Sequence, residues 1–256
     1  MWAQLRELIF PRSEACLWCG RPEAPSPCET CRRELAVLPP ARCPRCLRPV
    51  RLGPVAGLRQ EGIPGDRPGS RPARCWSCRV RPPAVSGMTC LGLYRGLLRW
   101  TIHAVKGRGQ RFLLPPLAEM MARGLQADGA VFDLVTVPPL DPRRLRRRGF
   151  HPALALADRV AARSGRPFVP FLLRRNRPVR PQSGLTGAER RHNLRGTVRV
   201  ARWAQPRLRG RRVLLVDDVI TTGSTLDAAA RALLAAGAAA VWAVVAADNG
   251  SRRVVP

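Results

Sequence analysis

Aromatic side chains are scarce in this 256-residue chain, at 5% of the sequence, and Tyr94 is its one tyrosine. Proteins that hold single strands of nucleic acid by stacking use several aromatics as platforms, so stacking is expected to be secondary in any such contact here. Lysine is nearly missing: Lys106 is the only one, and arginine supplies the other 44 of 45 basic residues. A GC-rich genome also raises arginine, so its abundance alone is discounted as a functional signal. Histidine is limited to His103, His151 and His192; none has a partner at metal-ligand spacing, and structural or surface roles are expected. No Ser–His–Asp order or paired-carboxylate glycosidase arrangement is evident. Long apolar runs are absent too. The longest uncharged one, Ala232–Ala247, is broken by Gly237 and falls short of the roughly 20 residues that span a bilayer; it reads as a helix end followed by a buried strand. Near the start, Arg6 and Glu7 interrupt the apolar stretch that a signal peptide needs. A cytoplasmic protein without a membrane span is therefore expected. With 45% apolar residues there is material for a core, and disorder is excluded as the overall state.

What the chain has in quantity is cysteine in pairs. Eight of nine cysteines form CxxC turns: Cys16/Cys19, Cys28/Cys31, Cys43/Cys46 and Cys75/Cys78. Stable disulfides are rare in the cytoplasm. A CxxC turn instead sets two thiolates on one side of a tetrahedral metal, and two turns complete a four-sulfur site. Chain order pairs Cys16/Cys19 with Cys28/Cys31, and Cys43/Cys46 with Cys75/Cys78; an interleaved pairing stays open. Zinc is the default ion, in a structural role, since closed four-sulfur sites fold small domains rather than catalyse. A redox dithiol or an iron–sulfur cluster is the alternative. Two such sites would lower the formal charge of +28 to about +24. Residues 47–74 hold five Gly and five Pro and read as a loop that lengthens the second site. Trp2, Leu5, Leu8 and Ile9 fall at helical spacing, and Trp18 and Trp76, inside CxxC turns, are expected to pack on the ribbons. Cys90 stands alone in a predicted strand as a small buried hydrophobe.

Pro82–Pro83 marks a boundary, giving a cysteine-rich domain over 1–83 and a second domain over 84–256. In the second, strands and helices alternate, which predicts an α/β fold with a parallel sheet flanked by helices. Strands are expected at Gly87–Tyr94, Asp133–Val137, Phe168–Leu173, Arg212–Asp217 and Ala239–Ala246. Helices are expected at Gly96–Lys106, Leu113–Leu125, His151–Ser164 and Ser224–Ala236. The run RVLLVD is continuous in apolar residues until its end, as a strand buried on both faces should be.

The chemistry concentrates at Val213–Leu226, VLLVDDVITTGSTL. A buried strand delivers Asp217 and Asp218 at its carboxyl end, where ligands bind in open α/β sheets. Thr221, Thr222, Gly223, Ser224 and Thr225 follow at a helix start, where free amides and hydroxyls suit a phosphate and Gly223 allows close backbone approach. Two carboxylates just before a phosphate cradle suit a sugar diol, bare or Mg²⁺-bound. Together they describe a pocket for a sugar 5-phosphate; the bland alternative is a surface acid pair beside a plain helix cap.

This stretch resembles the phosphoribosyl-pyrophosphate (PRPP) signature of type I phosphoribosyltransferases. The resemblance implies that Asp217 and Asp218 hold the ribose hydroxyls, as the catalytic pair, and that residues 221–225 bind the 5-phosphate. Cysteine ribbons ahead of such a domain are similar to the ComF (ComFC) family of competence-associated proteins. Further matching stretches are Lys106-Gly107, Val135–Leu140, Arg143–Ala153 (with His151 where Asn is usual) and Arg174–Gly196 through Arg174, Gln182, Arg190 and Asn193. The resemblance covers essentially the whole chain; the long 47–74 loop departs from it and bears on the second zinc site. It implies PRPP and single-stranded DNA as partners, accessory to DNA uptake, with a competence helicase or other uptake protein as a further partner. By family position Lys106, Arg147 and Arg148 would face pyrophosphate.

From Val85 onward the chain carries 30 basic against 10 acidic residues. PRPP needs only a few cations, so the surplus reads as an electrostatic track for nucleic-acid phosphates, through Arg143, Arg144, Arg146, Arg174 and Arg190; a merely solvated basic face is the alternative. Three functions compete: a PRPP- and DNA-binding accessory of DNA uptake, an active phosphoribosyltransferase releasing pyrophosphate to a base or amine acceptor, and a regulator that uses PRPP as a signal. Transfer would rest on positioning and charge stabilisation, so no dedicated base need show in the sequence.

Overall fold

A computed structural model of the chain describes residues 15–38, 41–50, 74–140, 146, 149–175 and 197–250. The expected helix at Trp2–Ile9, most of the 47–74 loop, His192, Gln182 and Asn193 lie outside them. In chain order the elements are α1 (Glu29–Leu35), α2 (Trp76–Val80), β1 (Gly87–Leu93), α3 (Gly96–Gly107), α4 (Leu114–Ala127), β2 (Leu134–Thr136), α5 (Pro152–Arg163), β3 (Leu173–Arg175), β4 (Val198–Val200), β5 (Arg212–Ile220), α6 (Ser224–Ala235) and β6 (Ala240–Asp248). A 3-10 turn covers Arg111–Leu113 and another Arg202–Arg207.

The main sheet has the order β1-β6-β5-β2, all parallel. β5 and β6 lie at its centre, and their side chains alternate between two cores. Leu214, Val216 and Val244 face α3, α4 and α5, whereas Val213, Leu215, Val241, Ala243 and Val245 face α6 and β3–β4. This is why RVLLV carries no polar alternation: a parallel strand covered by helices on both faces buries every side chain. Leu214 is fully buried, and truncation to alanine at such a site costs roughly 2–5 kcal/mol. Asp133 joins β2 to β5 at their start, accepting from the Arg212 backbone N–H at 2.8 Å and pairing with its guanidinium at 2.7 Å.

The expected strand over Phe168–Leu173 takes a different form. Only Phe168 pairs with the sheet, as a single parallel bridge to Val135. Pro167 and Pro170 lack the N–H donors a ladder needs, and Phe171 turns the chain at φ 57. Pairing resumes as a separate antiparallel hairpin, β3 with β4.

The cysteine-rich segments close one edge of the sheet. Backbone N–H groups of Met88 and Leu93 on β1 donate to the carbonyls of Pro44 and Val37, both at 2.9 Å, so Val37 and Pro44 occupy an edge that would otherwise template further pairing. A side chain on Gly92 would collide with the Leu35 carbonyl oxygen, and glycine permits that approach. Leu35 joins one core and Leu47 the other. Trp18 packs on the first of these and donates its indole N–H to Thr101 Oγ1 at 2.8 Å. Trp76, by contrast, is 69% exposed and does not pack on a ribbon as expected. Cys90 is buried in β1.

Candidate functional site

Strand order fixes where the site must be. β5 runs through α6 to β6 on one side, while β2 runs through α5 to the Phe168 bridge on the other. The connections diverge between β5 and β2, and the carboxyl ends of strands at such a switch point leave a crevice for ligands. Asp217 and Asp218 lie in the last turns of β5 at this rim. Asp217 Oδ1 accepts the Asp218 N–H at 2.9 Å, and Asp218 Oδ1 accepts the Val219 N–H at 2.8 Å, so the backbone orients each carboxylate.

Lys106, at the end of α3, forms an ion pair with Asp218 Oδ2; the side chains are 27% and 14% exposed. The chain's single lysine therefore neutralises one acid of the doublet. Asp217 has no such partner as near. Burial pushes its carboxyl up to about 8, and the Asp218 charge adds to that against the opposing pull of Lys106. Burial beside a second acid therefore favours the protonated form of Asp217 more than in a free aspartate.

Beyond the doublet, Gly223 takes a left-handed conformation at φ 79 as the residue before α6. No side chain caps that helix from Gly223. Thr222 Oγ1 meets Ser224 Oγ at 2.8 Å and accepts the Ser224 N–H at 3.3 Å. The hydroxyls of residues 221–225 thus crowd a helix N-terminus whose amides and positive dipole end favour an anion. Asp227, in the first turn, is turned away: its Oδ1 accepts the Ala84 N–H at 2.7 Å and it pairs with Arg231.

One carboxylate at this rim escaped the sequence reading. Asp248 ends β6, in register with Ile220 on β5 and Leu93 on β1, and is buried. Its Oδ1 accepts the Gly250 N–H at 3.0 Å, and its carbonyl accepts the Tyr94 N–H at 2.8 Å. Its place as the closing residue of an apolar run was the available signal.

Among the residues singled out from sequence, the structure gathers Asp217, Asp218, Lys106 and 221–225 at one rim. Arg174 is elsewhere, exposed on β3, and Arg146 is exposed. Arg143, Arg144, Arg147, Arg148 and Arg190 lie outside the described residues. His151 precedes Pro152 at the start of α5, and His103 meets the Tyr94 hydroxyl at 3.0 Å.

The eight paired cysteines form two clusters, Cys16/Cys19/Cys28/Cys31 and Cys43/Cys46/Cys75/Cys78, with sulfurs within 4.8 Å of one another. This is the sequential pairing, not the interleaved one. The clusters are built alike. Each takes one CxxC from a tight turn, where the first cysteine's carbonyl accepts the N–H of Gly20 or Leu47 at 2.8 Å. Each takes the other from a helix start, with Cys28 or Cys75 preceding the first turn and Cys31 or Cys78 within the helix. Sulfur separations of 3.7 Å (Cys19–Cys28) and 3.5 Å (Cys46–Cys75) approach the ~3.8 Å edge of a tetrahedron with 2.3 Å zinc–sulfur bonds. The donor set and spacing fit zinc.

Residues 146–256 match the phosphoribosyl transferase domain model. The chain is 32% identical to the DNA utilization protein YhgH of Salmonella typhimurium, over 85% of this chain and 94% of that protein. It is 27% identical to competence protein F of Haemophilus influenzae, over 78% and 87% of the two chains. It is also 26% identical to competence protein ComFC of Bacillus subtilis, over 83% and 80%. No helix among the described residues is long and apolar enough to cross a membrane. With a phosphoribosyltransferase-type sheet behind two four-cysteine clusters, and relatives matched along nearly their full length, the chain belongs to the ComF family of competence-associated proteins.

Proposed function

We propose that the protein binds PRPP at the β5–α6 junction and single-stranded DNA on its basic surface, as a cytoplasmic accessory of DNA uptake and use. One observation carries the PRPP reading: a buried acid doublet at the switch point leads within a few residues into a hydroxyl-rich helix N-terminus, with Gly223 at φ 79 between them. The ribose hydroxyls lie on Asp217 and Asp218, the 5-phosphate on residues 221–225. Lys106, with Arg147 and Arg148 by family position, faces pyrophosphate. A bound Mg²⁺ would supply charge neutralisation between doublet and pyrophosphate. The relatives named for DNA utilization and competence and the excess of arginine support the DNA arm. The cysteine-rich domain, 1–83, serves as a zinc-held brace for the domain over 84–256.

Calorimetry of PRPP with and without Mg²⁺ tests this reading. Saturable binding, tightened by Mg²⁺, is expected; no heat in either condition contradicts it. Incubating the same mixture with purine, pyrimidine and amine acceptors then decides activity. Released pyrophosphate makes the protein a transferase, and none across the series leaves a binding protein.

A further inference from the structure

A groove of about 690 Å³ lies away from the acid doublet, at the opposite end of α6. It is of ligand-pocket size. Arg174, Arg199, Arg202 and Trp203 line it, over a floor that includes Ala232 and Ala236, and none of the described residues that line it is acidic. Arg174 and Arg199 are direct cross-strand partners on the β3–β4 hairpin, so the register sets two guanidinium side chains side by side. Like charges directly opposite destabilise a strand pair. Among the described residues no carboxylate pairs with Arg174, Arg199 or Arg202. The nearby C-terminus of α6 offers only about half a negative charge, too little for three cations. Trp203 is 48% exposed, with the Arg207 guanidinium 5.5 Å from its ring centre.

We infer that this groove is the seat of single-stranded DNA, with phosphates on Arg174, Arg199 and Arg202 and an unpaired base stacked on Trp203. The inference rests on the DNA arm of the proposed function and gives it a place. A fixed cluster of like charge without counter-charge is complementary to a run of phosphates, and an exposed indole beside it gives a base a flat partner. The groove reaches back along α6 to Ala232, so it and the phosphate cradle at Ser224 stand roughly 12 Å apart along the helix, and the two ligands do not compete for atoms.

Fluorescence anisotropy with a labelled oligothymidylate of about 16 nucleotides tests the assignment. Arg199→Glu/Arg202→Glu is expected to weaken binding tenfold or more and to flatten its salt dependence by about 0.7 in log–log slope per lost phosphate contact. Trp203→Ala is expected to weaken binding about fivefold without changing that slope, while Trp203→Phe recovers most of it. PRPP calorimetry on each variant reports that the fold survives. If the glutamate pair does not fold, Arg174→Gln/Arg199→Gln replaces it, with a smaller loss expected. Wild-type protein that binds no oligonucleotide overturns the DNA arm itself. Wild-type binding left unchanged by all these substitutions overturns the groove alone. Equal affinity for the duplex of the same length also overturns the groove, because a paired base cannot stack on Trp203.

Discussion

The two ends of α6 are opposites. Its N-terminal end follows a buried acid doublet and a hydroxyl-rich turn, with one lysine folded onto the acids. Its C-terminal end borders a groove where the described lining holds three arginines and no acid. On the proposed reading, the first end collects acids to grip a sugar and offers backbone amides to its phosphate, and the second collects cations for a polyanion. One short helix would then separate a site for a compact, strongly oriented ligand from one for an extended ligand held by charge.

Loss of zinc should give the largest effect and should not discriminate between the ends. The cysteine-rich segments cover the β1 edge and place Leu35 and Leu47 in opposite cores. Cys31→Ser is expected to lower the melting temperature by roughly 10 °C and to weaken both ligands in parallel; metal analysis alongside differential scanning fluorimetry checks it. A melting curve that does not move would remove the brace.

Lys106→Met sharpens the comparison next. It takes away the cation over Asp218 and should weaken PRPP roughly tenfold, about the effect of one strong charged contact. Ribose 5-phosphate, which lacks pyrophosphate, and DNA should change little. Calorimetry with both sugars reads the difference, and equal losses for the two would reassign Lys106 to the ribose.

The Asp217 carboxyl gives a pH signature confined to the acidic end. Its value is raised from 3.8 to about 8, so the folded state holds a proton that the unfolded state releases. The stability this group contributes is full below about pH 4 and is lost as pH climbs to about 8. Asp217→Asn should flatten that part of the stability profile. Binding of Mg²⁺–PRPP should expel the proton, so affinity should rise by up to tenfold per pH unit between about 6 and 8, whereas DNA binding stays level over the same range. Calorimetry in buffers of different ionisation enthalpy counts the proton directly, and a zero count would contradict the assignment.

Gly223→Ala should have the smallest effect. At φ 79 an alanine pays roughly 1–2 kcal/mol of strain and blunts the cradle. A few-fold loss of PRPP affinity is expected with oligonucleotide binding unchanged, and a loss at both ends would show that the turn shapes the whole helix.

Much of the acidic end was legible in the sequence, because its parts are adjacent: Arg212–Leu226 carries strand, doublet, turn and helix start in one unbroken stretch. The two cysteine clusters were legible for the same reason, since each CxxC is local and chain order pairs the turns. Lys106 was assigned toward pyrophosphate by family position, but its contact with Asp218 arises only when α3 packs beside β5. Asp248 joins the rim through the register of β6 with β5 and β1, and its place at the end of an apolar run is the one local sign of it. The groove was least legible. The sequence assigns Arg174 to the nucleic-acid track, whereas its pairing with Arg199 depends on an antiparallel strand pair that replaces part of the expected Phe168–Leu173 strand. Pro170 in that segment was the overlooked sign.

The most direct test of the account is the Asp217→Asn/Asp218→Asn double variant, titrated separately with Mg²⁺–PRPP and with oligothymidylate. The account predicts a loss of PRPP affinity of about a hundredfold or more, as expected when charged hydrogen bonds to two hydroxyls are removed, with oligonucleotide affinity within about twofold of wild type. PRPP binding that survives the double substitution would contradict it.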